Sequence, residues 1–207
     1  MVRRAQTSLS VDDVGRALAA SEGITKVLVE TLYSCGGRVS EIVALRWQDI
    51  VYREDVEPAG WWVYLRGKGG DERAVPLGKP CMEALSLTVA GAGGIVAPTD
   101  KVFCGLTTQN ARDRLKVLGR RIGVHLYPHA LRHAFASHML DRGADLRSIQ
   151  EMLGHKKVTT SLLYWDHTDI KLHQVHRLIV TCLPRARHYL LSHPESFVDK
   201  YPYRPDP

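Results

Sequence analysis

The chain reads PHALRHAFASHML at residues 128–140 and GHKKVTTSLLY at residues 154–164, and these two stretches carry most of its information about fold and chemistry. Proline suits the first turn of a helix, where a backbone N–H has no intrahelical partner. A helix is therefore predicted from Pro128 to about Asp141. Apolar side chains recur one turn apart along it, namely Leu131, Phe135 and Met139.

Polar side chains gather on the neighbouring face of this helix. They are His129, Arg132 and His133, with Ala136 beside them. After the helix, Asp145 is predicted to cap another one, which carries Leu146, Ile149 and Leu153 on its apolar face and ends at Gly154. Thr159 or Thr160 is predicted to cap a further helix that holds Tyr164.

Upstream, apolar residues recur at helical spacing from Ile24 to Cys35, and the pair at residues 36–37, Gly-Gly, ends that helix just before Arg38. Ser40 is predicted to cap a short second helix. A further helix is predicted over residues 110–119. The β-rich runs at residues 61–65 and 73–77 flank a glycine-rich turn, so they predict a hairpin with Lys68 near its tip. The resulting fold class is mostly α with a small antiparallel β-sheet.

Size and composition set the outer limits. The 207 residues suffice for one substantial domain, and 44% hydrophobic residues allow a real core. The net charge of +6 favours a polyanionic partner only mildly.

The cysteines and the hydropathy pattern bear on compartment. The four cysteines form no C-x-x-C pair, so neither a disulfide framework nor a zinc site is expected. Without a signal peptide or an apolar run of about 18 residues, we expect a soluble, cytoplasmic protein that does not enter membranes.

The polar residues point to chemistry on a phosphodiester. A tyrosine hydroxyl such as that of Tyr164 can attack phosphorus if cations neutralise the phosphate and an acid protonates the leaving oxygen. Arg38 and Arg132 are candidate phosphate ligands, because guanidinium groups match the non-bridging oxygens. Lys68 is a candidate general acid. The imidazoles that would assist are His129 and His155.

Each of these residues also has a structural interpretation. Arg38 can be a solvated or capping side chain, Lys68 surface decoration, His133 a packed histidine and Tyr164 an amphipathic core residue. His129 and His133 form an H-x-x-x-H pair, but the glutamate of zinc proteases is absent and Arg132 would repel a cation. No metal and no cofactor is therefore expected, and no G-x-x-x-x-G-K-[ST] nucleotide loop is present.

Taken together, the motifs resemble the tyrosine recombinases of the phage-type integrase family, and most closely the Xer-type site-specific recombinases. The motifs that carry the resemblance are GGRVSE at 36–41, GKGGDERAVPL at 67–77, PHALRHAFASHML at 128–140, LGH at 153–155 and Tyr164. The resemblance implies the tyrosine recombinase catalytic-domain fold, over residues 1–187. Residues 188–207 are expected to form a proline-rich tail.

The resemblance also implies roles. Arg38, Arg132, His129 and His155 would hold the scissile phosphate, Lys68 would act as general acid, and Tyr164 would form a 3′-phosphotyrosine. Glu41 would fix the region of the first arginine, and His133 would be a structural member of its motif. Arg73 and Lys157 are further candidates for contacts with the DNA backbone.

The implied partner is double-stranded DNA, on which the protein would assemble as a homo- or hetero-oligomer, a tetramer by family resemblance. The family's N-terminal core-binding domain is expected to be absent from this chain. Alternatives remain open: a truncated or partner-dependent DNA-binding module without independent recombination, or DNA relaxation of the type IB topoisomerase kind.

Overall fold

The computed structural model describes residues 8–56, 59–67, 70–91 and 96–154. Within them the chain forms α1 (Val11–Ala20), α2 (Gly23–Cys35), α3 (Val39–Ala44), α4 (Lys79–Gly91), α5 (Thr108–Ile122), α6 (Pro128–Asp141) and α7 (Leu146–Leu153). The strands are β1 (Ile50–Arg53), β2 (Gly60–Arg66) and β3 (Glu72–Leu77), and a 3₁₀ turn spans Trp47–Asp49. The prediction of a mostly helical chain with a small antiparallel sheet is confirmed.

The sheet has the strand order β1-β2-β3, with both pairs antiparallel. The predicted hairpin is present: Val63 pairs with Val75, both fully buried, and Arg66 pairs with Glu72 next to the turn. The turn is closed by the backbone N–H of Gly67, which donates to the carbonyl of Asp71 at 2.7 Å. Lys68 lies outside the described residues. The sequence did not predict β1, a four-residue strand.

Helix α2 passes through the core, where Leu28 and Leu32 are fully buried. The helix ends at Gly36, which has a φ of +57° and donates its N–H to the carbonyl of Leu32. A Cβ atom at Gly36 would lie 2.6 Å from a ring carbon of Phe135 on α6. A glycine is therefore required here both by the left-handed backbone and by the close approach of α6.

A buried hydrogen-bond chain ties α6 to α2 and to the segment before α1. His138 Nε2 lies 2.9 Å from the carbonyl oxygen of Leu9, which can only accept, so this nitrogen donates. His138 Nδ1 then accepts from the Tyr33 hydroxyl at 2.9 Å. Burial raises the pKa of Tyr33 to about 12, which keeps the hydroxyl protonated as a donor.

Helix α6 begins at Pro128 and ends at Asp141 as predicted, with its apolar stripe fully buried. Helix α7 is also confirmed: Asp145 accepts from the Ser148 N–H at 3.0 Å, and Gly154 ends the helix with a φ of +67°. The prediction that Leu146 belongs to the apolar face was wrong, because its side chain is 56% exposed.

The start of α3 also differs from the prediction. Ser40 lies inside the helix, and Arg38 occupies the N-cap position. The Glu41 carboxylate accepts from the Arg38 backbone N–H at 2.7 Å, so it satisfies a free donor at the helix start. Helices α1 and α4 were not predicted. In the described part of the chain, no helix has the length and apolar character needed to cross a membrane.

Candidate functional site

A cleft of about 730 Å³ opens between the start of α3, one face of α5 and the start of α6. Three of the predicted site residues line it: Arg38, His129 and Arg132. Residues that are far apart in the chain therefore come together at one cleft. Among the described residues that line the cleft, the acidic one is Asp113 on α5.

Arg132 is the most buried cation of the cleft, with 6% of its surface exposed. One terminal nitrogen donates to the Gly36 carbonyl and the other to the Leu153 carbonyl, each at 2.6 Å. Both acceptors lie at C-terminal helix ends, where the helix dipole favours a positive charge. In the part of the chain that the structure describes, Arg132 has no carboxylate partner. Its remaining N–H groups are available to a ligand in the cleft.

The electrostatic surroundings of Arg132 are unusual for an arginine. Burial, together with the positive charges of Arg38 and Arg73, lowers the pKa of Arg132 to about 10. The guanidinium remains charged at neutral pH. A buried cation without a carboxylate partner is costly, so the site favours a bound anion.

Arg38 is about half exposed and reaches the cleft from the start of α3. One terminal nitrogen of Arg38 donates to Glu41 Oε1 at 2.9 Å, which fixes the guanidinium end of the side chain. Burial raises the pKa of Glu41, but hydrogen bonds from Arg73 and from the Arg38 backbone outweigh this effect and lower it to about 2. Glu41 is thus a permanently charged anchor beneath Arg38.

Arg73 shares the same carboxylate. Its two terminal nitrogens donate to Glu41 at 2.9 and 2.7 Å, and its Nε donates to the Met152 carbonyl at 2.6 Å. The side chain is only 11% exposed and does not line the cleft. This placement does not support the predicted contact between Arg73 and the DNA backbone, because its donor groups point into the protein.

His129 and His133 stack one turn apart at the start of α6, with their Nε2 atoms 3.0 Å apart and their rings edge to face. Partial burial, and then the neighbouring His133 and Arg132, lower the pKa of His129. At this distance one of the two Nε2 atoms can donate a hydrogen bond to the other. His133 is exposed and lies beside the cleft residue His129, so its contact is with the site and not with the core.

Four predicted residues lie outside the described residues: Lys68, His155, Lys157 and Tyr164. In the sequence, His155 directly follows Gly154, the last of the described residues. Among the residues described here, no group of three or more histidine, cysteine or acidic side chains comes together as a metal site would require.

The basic face of α5 was not predicted from the sequence. Arg112, Lys116 and Arg120 line the cleft and are exposed, at spacings of four residues that place them on one helix face. The helix itself was predicted, over residues 110–119. The four-residue spacing of these cations indicates that they share one helix face, but the sequence does not show what that face lies against. In the fold, this face lines the same cleft as Arg38 and His129.

Comparison with known proteins identifies the family of this chain. The Phage integrase family matches residues 7–170. The chain is 35% identical over 206 residues to tyrosine recombinase XerD of Mycobacterium tuberculosis (strain CDC 1551 / Oshkosh), covering 89% of this chain and 63% of that protein. The chain thus spans a little under two thirds of the length of this relative.

Solved structures agree at the level of the fold. The crystal structure of XerA recombinase matches with a TM-score of 0.64 and 26% identity, over 87% of this chain and 66% of that one. The catalytic core of lambda integrase matches with a TM-score of 0.56 and 20% identity, over 75% of this chain and 95% of that one. The chain therefore belongs to the phage integrase family and has the tyrosine recombinase catalytic-domain fold.

The buried carboxylate of Glu41 makes stability depend on pH. A folded-state pKa of about 2, against an ordinary 4.5, stabilises the protein above about pH 4.5, and this contribution is lost as the pH falls toward 2. The lowering corresponds to roughly 3 kcal/mol. Glu41→Gln should therefore lower the free energy of unfolding most at neutral pH, and the difference from wild type should shrink below about pH 4.5. Urea unfolding followed by circular dichroism across this range measures it.

The matched control is Glu151→Gln, which removes a partly exposed carboxylate paired with Arg147 on the surface of α7. It should change the free energy of unfolding by less than about 1 kcal/mol. A Glu41→Gln difference that stays constant from pH 7 to pH 2 would show that the charge of Glu41 does not stabilise the fold.

Proposed function

We propose that this chain is the catalytic part of a site-specific DNA recombinase, or integrase, that cleaves and rejoins strands through a 3′-phosphotyrosine on Tyr164. The observation that carries the proposal is the guanidinium of Arg132, buried without a carboxylate partner among the described residues and facing a cleft shared with Arg38 and His129. Membership of the phage integrase family supports it. The relative from M. tuberculosis is named a tyrosine recombinase.

The cleft suits one phosphate group on a duplex. Arg132 provides fixed donors at its floor, and Arg38, held by Glu41, provides donors at its side. Guanidinium groups bind the non-bridging oxygens, and their charge offsets the negative charge that grows as a fifth bond to phosphorus forms. Because both arginines are held before DNA arrives, little reorganisation is needed at the moment of reaction.

The proposed reaction is a transesterification. The Tyr164 hydroxyl oxygen forms a bond to phosphorus and releases its proton to water as the bond to the 5′ oxygen breaks, and Lys68 donates a proton to that leaving oxygen. His129 and His155 assist at the phosphate. The energy of the broken ester is kept in the phosphotyrosine, so a 5′ hydroxyl of a partner duplex can reverse the step without a nucleotide. This chain's own side chains suffice for these steps, without a cofactor or metal.

The partner in this proposal is double-stranded DNA. The cations of α5 extend the positive surface away from the phosphate site along one side of the cleft, where the backbone of a duplex would lie. Lys157 is proposed as an additional backbone contact. Strand exchange needs two duplexes, so we propose an oligomer on DNA, with a tetramer implied by family resemblance.

We also propose that the protein acts in the cytoplasm. Cys35, Cys81 and Cys104 are free thiols, which fits a reducing compartment.

The nucleophile is tested with nicked duplexes that carry candidate recombination sites. After cleavage next to the nick, the short fragment with the free 5′ hydroxyl diffuses away. Rejoining is then prevented, and the covalent protein–DNA product accumulates. Tyr164→Phe should reduce this product below detection on denaturing gels, because the attacking oxygen is gone, while leaving duplex affinity nearly unchanged. Tyr189→Phe is the matched control and should form the product at the wild-type rate. A covalent product from the Tyr164→Phe variant would contradict the assignment.

The general acid is tested with the chemistry of the leaving group. Lys68→Ala should slow the cleavage of ordinary DNA by about 100-fold or more. The same variant should cleave DNA with sulfur at the 5′ bridging position at close to the wild-type rate, because a thiolate leaves without a proton. Single-turnover rates on the two substrates give the comparison. Equal defects on both would exclude proton donation by Lys68.

A further inference from the structure

Arg73 joins three parts of the fold that are distant in the chain. It stands on β3, its terminal nitrogens hold both oxygens of Glu41 on α3, and its Nε holds the Met152 carbonyl at the end of α7. These contacts need the planar fork of a guanidinium, because its two terminal nitrogens bind the carboxylate while its Nε–H binds the carbonyl. A lysine ammonium has no such fork, so it cannot replace all three contacts.

The end of α7 is held by two guanidiniums. The last carbonyls of a helix have no intrahelical donors. Here the Met152 carbonyl accepts from Arg73, and the next one, that of Leu153, accepts from Arg132, each at 2.6 Å. Arg132 and Arg73 thus donate hydrogen bonds to neighbouring carbonyl groups at the end of α7.

Gly154 brings the chain directly against Arg73. Its φ is +67°, and a Cβ atom there would lie 3.0 Å from Arg73 Cδ and 3.1 Å from one of its terminal nitrogens. The residue that follows in the sequence is His155. The end of α7 at Gly154 therefore packs against the side chain of Arg73.

Glu41 completes the connection to the cleft. Its carboxylate accepts from Arg73 and from both the backbone and the side chain of Arg38. A displacement of Arg73 would therefore change the support of Arg38 through Glu41. It would also release the end of α7, whose Leu153 carbonyl supports Arg132.

We propose that Arg73 is a positioning residue for the strand-cleavage reaction. It fixes Arg38 and Arg132 relative to the end of α7, from which the chain continues to His155 and Tyr164. It acts through Glu41 and the α7 carbonyls and does not touch DNA. The proposal rests on the function proposed above. It separates two quantities: loss of Arg73 slows the covalent step on bound DNA and leaves the affinity for DNA almost unchanged.

The test uses Arg73→Lys, which keeps the charge and removes the fork. On a nicked duplex, the rate of covalent product at saturating protein should fall by about 10- to 100-fold, as expected for a reacting group that is misplaced by about 1 Å. The dissociation constant for the same duplex should change by less than about threefold. Arg53→Lys is the matched control: Arg53 lies in the same sheet, is nearly buried and pairs with both oxygens of Asp55. It should retain the wild-type rate.

Thermal unfolding of both variants identifies any loss of fold. If Arg73→Lys is unfolded at the assay temperature, the rates are compared at a lower temperature at which wild type, Arg73→Lys and Arg53→Lys are all folded. A wild-type rate in the folded variant would overturn the proposal. So would a loss of affinity as large as the loss of rate, since Arg73 would then act on DNA binding.

A double variant adds a second criterion. If Glu41 and Arg73 act as one unit, Glu41→Asp combined with Arg73→Lys should slow the reaction little more than either change alone. If the rate defects of the two single variants multiply in the double variant, Glu41 and Arg73 do not act as one unit. Failure of the wild-type chain to form any Tyr164-dependent product would overturn the proposed recombinase function itself. That outcome is distinguishable, because an Arg73 effect is measured only against a reacting wild type.

Discussion

The Arg132 guanidinium is held inside the protein by two carbonyl oxygens, those of Gly36 and Leu153, and the rest of the site depends on this arrangement. The first carbonyl follows the end of α2 and the second ends α7, so one side chain fixes the ends of two helices. A carboxylate in place of these carbonyls would neutralise the cation that the proposed phosphate would meet. Neutral acceptors hold the side chain and leave its charge to attract an anion.

Glu41 has the complementary role. One buried carboxylate serves two arginines, of which Arg38 reaches the cleft and Arg73 reaches the end of α7. With three guanidiniums and one carboxylate, this cluster keeps an excess of positive charge, and burial together with that excess lowers the pKa of Arg132. A phosphate in the cleft would relieve the repulsion among them. The same interactions that hold the fold together thus fit the phosphate proposed to bind in the cleft.

Much of the fold could be predicted from local features of the sequence. Pro128 marked the start of α6, Asp145 and Gly154 marked the ends of α7, and the glycine-rich turn predicted the β2–β3 hairpin. These features are local because capping and turn formation involve neighbours in the chain. The start of α3 was misplaced since Arg38 has no capping side chain of its own, and Glu41 accepts its backbone N–H instead. Helix α1 was missed although Ser10 and Asp13 form a capping box, which is a recognisable pattern.

The candidate site was predicted only in part. Arg38, His129 and Arg132 were recognised from their motifs, and the structure places them around one cleft. The orientation of Arg73 was beyond the sequence, since its partners Glu41 and Met152 are brought to it by tertiary packing. The exposure of Leu146 could not be predicted for a similar reason. Helical spacing shows which residues share a face but not whether another element covers that face.

The central claim, that Arg132 and Arg38 face a phosphate while Arg73 stays inside, is tested most directly by nuclear magnetic resonance of the arginine Nε–H groups. The ¹⁵N-labelled protein is titrated with a short DNA duplex at low salt, with Arg53 as an internal reference away from the cleft. The resonances of Arg132 and Arg38 should shift until saturation, while those of Arg73 and Arg53 should remain in place. A shift of Arg73 with an unchanged Arg132 would contradict it.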